Sequence, residues 1–309
     1  MKQLLIKLPL PVSAVGLSFA GLANLLDDTF FFKSIFTFLS MVILIAVFFK
    51  IFIDPKEVKS QLSQVTIAAT FPTFFMGIAL LTKQIIQWNT TLALVLWGLA
   101  TVGHILFILY FTATFAMKKK LSFVLPSWFV VYVGLVASAI TAPLFKLPIL
   151  IFVAKIILGF GFISFIILLP IIIRRSHLLP IPKPLQATLA IFSAPVALNL
   201  VGYFSVIQNK QAGLIFLQII LMLVFYLWVL SNIITFLKAD FSPAQAALTF
   251  PMVISATAIK VSSAYLITLY PFLKIFGLII SYLSLLIAIF IVFAILAKYL
   301  SFIFSVSKT

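Results

Sequence analysis

Ten apolar segments, each long enough to cross a lipid bilayer, account for nearly all of the 309 residues of this chain. A helix needs roughly 20 apolar residues to span a membrane, and continuous apolar runs favour helices over the alternating strands of a barrel. The sequence therefore predicts an all-α integral membrane protein with one transmembrane domain over residues 1–309. The predicted spans are 8–26, 32–53, 60–82, 84–117, 121–145, 147–173, 184–209, 211–237, 241–269 and 271–302.

The charged residues of the chain are few and unevenly placed. Only 8% of the residues are charged, against about 25% in soluble proteins. If the spans alternate in direction, 14 of the 21 Lys and Arg residues fall on the side of both termini and 5 on the other side. Since cytoplasmic loops are enriched in Lys and Arg, we expect cytoplasmic termini in a plasma membrane, with Asp27 and Asp28 outside. The net charge of +16 is thus explained mostly by basic residues on the cytoplasmic side of the membrane. Nucleic acid is not an expected partner.

A proline recurs in every odd-numbered segment at a nearly constant interval. These prolines are 61, 54, 69 and 56 residues apart, which is one helical hairpin per repeat: Pro11, Pro72, Pro126, Pro195 and Pro251. Small residues follow each proline within one or two helical turns: Gly16, Gly77, Gly134, Gly202 and the pair Ser255 and Ala256. A proline removes a backbone hydrogen bond, and in lipid that loss is tolerated only against protein or a water-filled cavity. We therefore expect five hairpins in a quasi-fivefold arrangement, with odd helices around a central pore and even helices outside.

Residues that support catalysis or metal binding are scarce. The chain has no cysteine and only two histidines, whereas haem and metal sites need clustered ligands. No acidic residue lies deep in a predicted span, which counts against carboxylate-based proton coupling and against a cation pore. We therefore expect neither an enzyme nor a bound cofactor or metal. His104, in the fourth segment, is interpreted as a hydrogen-bonded buried residue rather than a proton relay.

The polar residues of the odd segments are candidates for the lining of a lumen. Most are weak dipoles: Ser13, Thr73, Ser138, Asn199, Ser255 and Thr257. A lumen of such groups without fixed charge suits an anion that is bound weakly enough to be released. The same residues serve equally well as packing groups between helices. Lys260 is a further candidate, although we favour the interpretation that its amine reaches outward to the membrane surface.

Two motifs carry a resemblance to a known family. The sequences LPLPVSAVGL at 8–17 and TFPMVISATA at 249–258 resemble the first and ninth helices of the SLAC1/TehA family, which includes the plant guard-cell slow anion channel, bacterial TehA and yeast-type malate permeases. The resemblance covers all ten segments in their lengths and order, and it includes the prolines of the five odd segments. The resemblance implies a homotrimer in which each protomer has its own pore, closed by a phenylalanine. The matching residue is Phe250, and the first-helix residue against which it packs is Gly16.

The resemblance also implies a function. It predicts a passive channel for chloride, nitrate or similar small anions, with a carrier of C4-dicarboxylates such as malate as the alternative. Lys260 would be the intramembrane basic residue of such a carrier. The chain departs from many relatives at Ala246, Ala247 and Leu248, where aromatic residues often precede the gate. The resemblance therefore does not carry over details of gating or substrate choice.

Overall fold

A computed structural model describes residues 2–26 and 29–305, and every regular element in this part of the chain is helical. Asp27 and Asp28 lie outside the described residues. The α-helices are α1 (Lys2–Lys7), α2 (Ser13–Leu25), α3 (Phe30–Ile53), α4 (Pro55–Leu62), α5 (Val65–Thr70), α6 (Thr73–Ile85), α7 (Thr90–Thr114), α8 (Trp128–Tyr132), α9 (Val136–Thr141), α10 (Pro148–Leu178), α11 (Ala194–Val206), α12 (Ala212–Lys238), α13 (Thr249–Leu269) and α14 (Lys274–Ser305).

Within these described residues, nine helical runs are long and apolar enough to cross a membrane. They are Phe30–Ile53, Val65–Ile85, Thr90–Lys118, Trp128–Phe145, Pro148–Leu178, Lys183–Val206, Ala212–Lys238, Pro243–Leu269 and Pro271–Phe304. The first predicted span forms a shorter apolar helix over Leu10–Leu25. The prediction of an all-α fold with membrane-length helices is confirmed, while the count of ten spans and the fivefold symmetry stay predictions.

Burial separates the odd segments from the even ones. Over an apolar window of 18 residues, 50% to 83% of the residues of the third, fifth, seventh and ninth segments are buried, against 28% to 39% in the even segments. The first segment behaves like the other odd ones, because all but one of the 13 residues of α2 are buried. The odd segments therefore form an inner layer, and the even helices present apolar side chains outward, as lipid requires.

Each inner segment is interrupted at its proline. Short 3-10 turns or irregular residues precede the proline, and a regular α-helix begins beside it. Pro11 lies in the 3-10 turn Leu10–Val12, Pro72 lies between α5 and α6, and Pro126 lies two residues before α8. Pro195 and Pro251 lie in the first turns of α11 and α13. The first turn of a helix tolerates proline because its N–H groups have no partner within the helix.

The inner helices contact one another in a cyclic order. Helix α2 packs against α6, α6 against α9, α9 against α11, α11 against α13, and α13 against α2. Each inner helix also packs against the outer helix that follows it in the chain, from α2 with α3 to α13 with α14. Each inner helix therefore packs against two inner neighbours and its own outer helix, and the cycle of inner helices surrounds a common space.

Candidate functional site

A small cavity lies where the five inner segments meet. Its volume is about 30 Å³, which is room for roughly one or two water molecules. Every inner segment contributes to its wall, through Ala14, Met76, Gly134, Leu198 and Phe250 among others. The wall is almost entirely apolar, and none of the described residues that line it is charged. The cavity therefore has the properties of a hydrophobic constriction, which excludes ions by size and by dewetting.

Phe250 is the second residue of α13 and lines this cavity with only 5% of its surface exposed. Pro251 lines the cavity as well, and so do Ala246 and Ala247 from the preceding 3-10 turn. The phenyl ring is thus the largest side chain that this segment brings to the constriction. Of the other prolines, Pro195 also reaches the cavity wall.

Two pairs of buried hydroxyl groups join α2 to its neighbours beside the cavity. The Oγ atom of Ser13 lies 2.7 Å from Oγ1 of Thr73 on α6. On the other side, Oγ of Ser18 donates to Oγ1 of Thr249 on α13 at 2.8 Å. Ser13 and Thr73 therefore act as interhelical packing groups, although Thr73 also reaches the cavity wall.

Sequence reasoning gave Ser13 and Thr73 as separate candidates without pairing them, and it assigned no role to Ser18 or to the hydroxyl of Thr249. Thr249 is the first residue of the Thr-Phe-Pro motif at 249–251, and its place next to Phe250 could have indicated a role for its hydroxyl. Ser18 carries no comparable signal, because a serine in an apolar helix most often bonds a carbonyl of its own helix.

The two glycines of α2 have different neighbours. A Cβ atom at Gly16 would lie 3.0 Å from Cδ2 of Leu44, on the outer helix α3. A Cβ atom at Gly21 would lie 2.8 Å from Cγ1 of Val253 and 3.7 Å from Cε2 of Phe250. The ring of Phe250 is thus among the nearest neighbours of Gly21. The role of either glycine in gating stays a prediction.

The other small residues fall into two groups. Gly134 lines the cavity. A Cβ atom at Gly77 would lie 2.9 Å from Cδ1 of Leu44, and one at Gly202 would lie 2.7 Å from Cγ1 of Val136. These two glycines permit close packing of helices, and the structure does not bring them to the cavity wall.

Four further candidates lie away from the cavity wall. The carbonyl of Ser138 accepts from Nε1 of Trp97 at 3.0 Å, and Thr257 donates to the carbonyl of Val253 in its own helix at 3.0 Å. Asn199 donates to a carbonyl on the outer helix α10 at 3.4 Å. The hydroxyl of Ser255 is buried and has no hydrogen-bond partner among the described residues. A place for these side chains in the lining at another level stays a prediction.

Lys260 lies outside the central cavity. Its Nζ atom donates to the carbonyl of Leu25 at 2.9 Å, where a cation stabilises the C-terminal end of α2. The exposed side chain lines a separate cavity of about 320 Å³ together with Ser263 and Tyr282. This position agrees with the interpretation that the amine of Lys260 reaches toward the membrane surface. Lys260 therefore does not supply the basic group at the constriction that a dicarboxylate carrier would use.

His104 is held as a structural residue. Its side chain is 1% exposed, and Nε2 lies 2.9 Å from the carbonyl oxygen of Val131. Because a carbonyl only accepts hydrogen bonds, Nε2 carries the proton. The ring lies against Phe75, with 6.2 Å between centroids. These contacts fit the interpretation of a hydrogen-bonded buried histidine.

A layered set of helical hairpins with interrupted inner helices and a closed apolar constriction defines a membrane protein of the channel or transporter class. A family model described as "Voltage-dependent anion channel" (SLAC1) matches residues 7–296. The chain therefore belongs to the SLAC1 family, as its two motifs indicated. No curated protein sequence matches the chain. Membership places this multi-pass membrane protein in a family of anion channels and transporters.

Proposed function

We propose that the chain is a passive channel for small inorganic anions such as chloride or nitrate. Its pathway follows the axis shared by the five inner segments and is closed at Phe250. The observation that carries this proposal is the apolar cavity of about 30 Å³, to which every inner segment contributes a side chain. Such a space is too narrow and too dry for a hydrated ion, so conduction requires the constriction to widen.

Movement of the Phe250 ring provides the simplest way to widen the constriction. A strained rotamer costs about 0.5–1.5 kcal/mol, which is small enough for a gate that opens reversibly. The described residues of the cavity wall carry no fixed charge, so an anion that enters is bound weakly and leaves quickly. This combination suits a channel better than a carrier that must hold its substrate.

The test is planar-bilayer recording of the purified protein and of Phe250→Ala under chloride and nitrate gradients. We expect the variant to show a constitutive anion conductance, because the alanine leaves the constriction open. Phe71→Ala is the matched control: Phe71 precedes a proline in the same Thr-Phe-Pro sequence but packs against Phe75 and Phe107 rather than the cavity. A wild-type conductance in Phe250→Ala would reject the gate.

Malate gradients separate the channel from the dicarboxylate carrier. Under the channel proposal, Lys260→Ala leaves the currents of Phe250→Ala in place, because the amine of Lys260 bonds the C-terminal end of α2 and does not reach the constriction. Under the carrier hypothesis, the same substitution abolishes malate uptake into liposomes.

We also propose a homotrimer in the cell membrane, with both termini in the cytoplasm. The resemblance to the family supports the trimer, and the excess of Lys and Arg on the side of the termini supports the orientation. Light scattering of the detergent-solubilised protein measures the first. A C-terminal reporter that is active only in the cytoplasm measures the orientation of the termini. Activity of a reporter that works only outside the cytoplasm would show the opposite orientation.

A further inference from the structure

We infer that the hydrogen bond between Ser18 and Thr249 fixes the first turn of α13 in the orientation that directs Phe250 into the central cavity, and so holds the pathway closed. Thr249 and Ser18 would be positioning residues, which act on permeation through the ring of Phe250. This inference rests on the proposed function, and its test separates the two.

The bond belongs to a chain of hydrogen bonds that joins three helical elements of the first and ninth segments. Ser18 on α2 donates to Oγ1 of Thr249 at 2.8 Å, and Thr249 donates to the carbonyl of Ala246 at 2.8 Å. The Ser18 hydroxyl also lies 2.7 Å from the carbonyl of Ala14 in its own helix. Both side chains are fully buried. The chain therefore joins α2, the first turn of α13 and the 3-10 turn Pro243–Leu248.

Helix α2 is itself held on its other sides. Ser40 on α3 donates to the carbonyl of Gly16 at 2.7 Å, and Ser13 bonds Thr73 on α6. A bond from α13 to α2 thus ties the segment next to the gate to a helix with fixed neighbours. Residues of a helix are 100° apart around its axis, so the orientation of Thr249 sets the direction in which Phe250 points.

The second repeat shows the same tripeptide without this bond. In the described part of the chain, the hydroxyl of Thr70 lies 2.9 Å from the carbonyl of Ile67 and 3.3 Å from that of Thr66, both in its own helix. The following ring, Phe71, does not line the cavity. A Thr-Phe-Pro sequence alone therefore does not place its phenylalanine in the constriction.

The experiment compares Thr249→Val, which keeps the shape but removes the hydroxyl, with Ser18→Ala and with Thr249→Ser, which keeps the hydroxyl. We expect Thr249→Val and Ser18→Ala each to raise the open probability in bilayers about threefold, the factor for an average hydrogen bond between membrane helices. Unitary conductance stays as in wild type, since the open pathway is unaltered. The double variant rises no further than Thr249→Val alone, because that substitution also removes the contact of the Thr249 hydroxyl with the carbonyl of Ala14 on α2, at 3.3 Å. Thr249→Ser behaves as wild type.

Thr101→Val is the matched control for the loss of a buried hydroxyl. Thr101 lies on the outer helix α7, away from the cavity, and donates to the carbonyl of Trp97 in its own helix at 2.8 Å. It should change neither open probability nor unitary conductance. A general loss of packing would lower the yield and thermal stability of all three valine and alanine variants without this selective rise in open probability.

A second measurement uses the absence of cysteine from the chain. A single Ala247→Cys substitution places a thiol in the cavity wall, and its rate of reaction with a charged thiol reagent should rise about threefold when Thr249→Val is added. Unchanged open probability and thiol reactivity, in a protein whose Phe250→Ala variant conducts, would overturn this inference alone. A silent Phe250→Ala variant would overturn the proposed function, and this inference with it.

Discussion

The sequence Thr-Phe-Pro occurs twice in the inner layer, at 70–72 and at 249–251, with opposite results. In the second repeat the threonine lines the cavity, and Phe71 packs outward with its centroid 5.3 Å from that of Phe107 on α7. In the fifth repeat the phenylalanine lines the cavity, and Thr249 bonds Ser18 on α2. The phenylalanine of the same tripeptide therefore packs against an outer helix in the second repeat and lines the cavity in the fifth.

The position of the helix break explains the difference. Helix α5 continues to Thr70, and the chain breaks at Phe71 and Pro72 before α6 begins. In the fifth repeat the 3-10 turn ends at Leu248, so the whole tripeptide belongs to the first turn of α13. Because each residue turns a helix by 100°, moving the break by a few residues changes which side chain faces the axis.

The largest effect should come from removing the two rings. Phe250→Ala should raise anion conductance about tenfold or more, the factor that corresponds to the roughly 1.5 kcal/mol of a strained rotamer. Phe71→Ala should instead cost stability, about 3–5 kcal/mol for a buried aromatic side chain, with no constitutive current. Bilayer recording and thermal unfolding of both variants check this. An open channel in Phe71→Ala would break the comparison.

The hydroxyl beside the gate comes next. Thr249→Val should raise open probability about threefold, and Thr249→Ser should restore the wild-type value. Single-channel recording measures both. Equal open probabilities for the valine and serine variants would show that the bond to Ser18 does not distinguish the fifth repeat from the second.

The two glycines of α2 sharpen the comparison further. Gly21→Ala puts a methyl group against Cγ1 of Val253 at 2.8 Å, and a β-branched side chain has little freedom to move away. We expect it to displace α13, with a loss of about 1–3 kcal/mol of stability and a raised open probability. Gly16→Ala meets the flexible end of Leu44 and should alter stability more than gating. A larger rise in open probability for Gly16→Ala than for Gly21→Ala, in recordings of both variants, would support the gating role that the resemblance implies for Gly16.

The 3-10 turn that precedes α13 is anchored by α14. Nζ of Lys298 donates to the carbonyl of Leu237 at 2.5 Å and lies 3.4 Å from Oε1 of Gln245, while Tyr299 donates to the carbonyl of Pro243 at 2.6 Å. Lys298→Met should loosen this turn and raise open probability about twofold to threefold, since hydrogen bonds between membrane helices are individually modest. Unaltered gating in single-channel records would show that the turn is held sufficiently by Tyr299.

The smallest effect is expected at Thr70. Thr70→Val removes a hydrogen bond that stays within α5, so open probability should change within about twofold, less than for Thr249→Val. Recording the two valine variants side by side measures the difference. A change at Thr70 as large as that at Thr249 would indicate that both repeats control the constriction equally.

The sequence predicted the inner and outer layers of helices, but not the direction in which individual side chains point. Five nearly evenly spaced prolines predicted the interrupted inner segments. Each proline lacks a backbone N–H group and has a ring that clashes with the preceding helical turn, so it interrupts the helix in every repeat. Phe250 was found through the resemblance and does line the cavity. Gly77 and Gly202 were predicted as pore-lining candidates by the same spacing, and their nearest neighbours are Leu44 and Val136. Their place in the lining stays a prediction, since spacing does not reveal how each helix is rotated about its axis.

The contact between Ser18 and Thr249 was out of reach for a related reason. The two residues are 231 positions apart, and their meeting depends on the cyclic closure that brings α13 back to α2. A pattern along the chain predicts elements and their order. It carries little information about pairs that form only when the last repeat meets the first.

The size of the constriction also bears on the energy supply of the host membrane. Protons hop between water molecules that form an unbroken hydrogen-bonded file, and a space of about 30 Å³ with apolar walls holds too few waters to sustain one. The closed pathway that we propose would therefore leave a transmembrane pH gradient intact. A pH-sensitive dye inside liposomes reports this directly, and rapid acidification by the wild-type protein would contradict it.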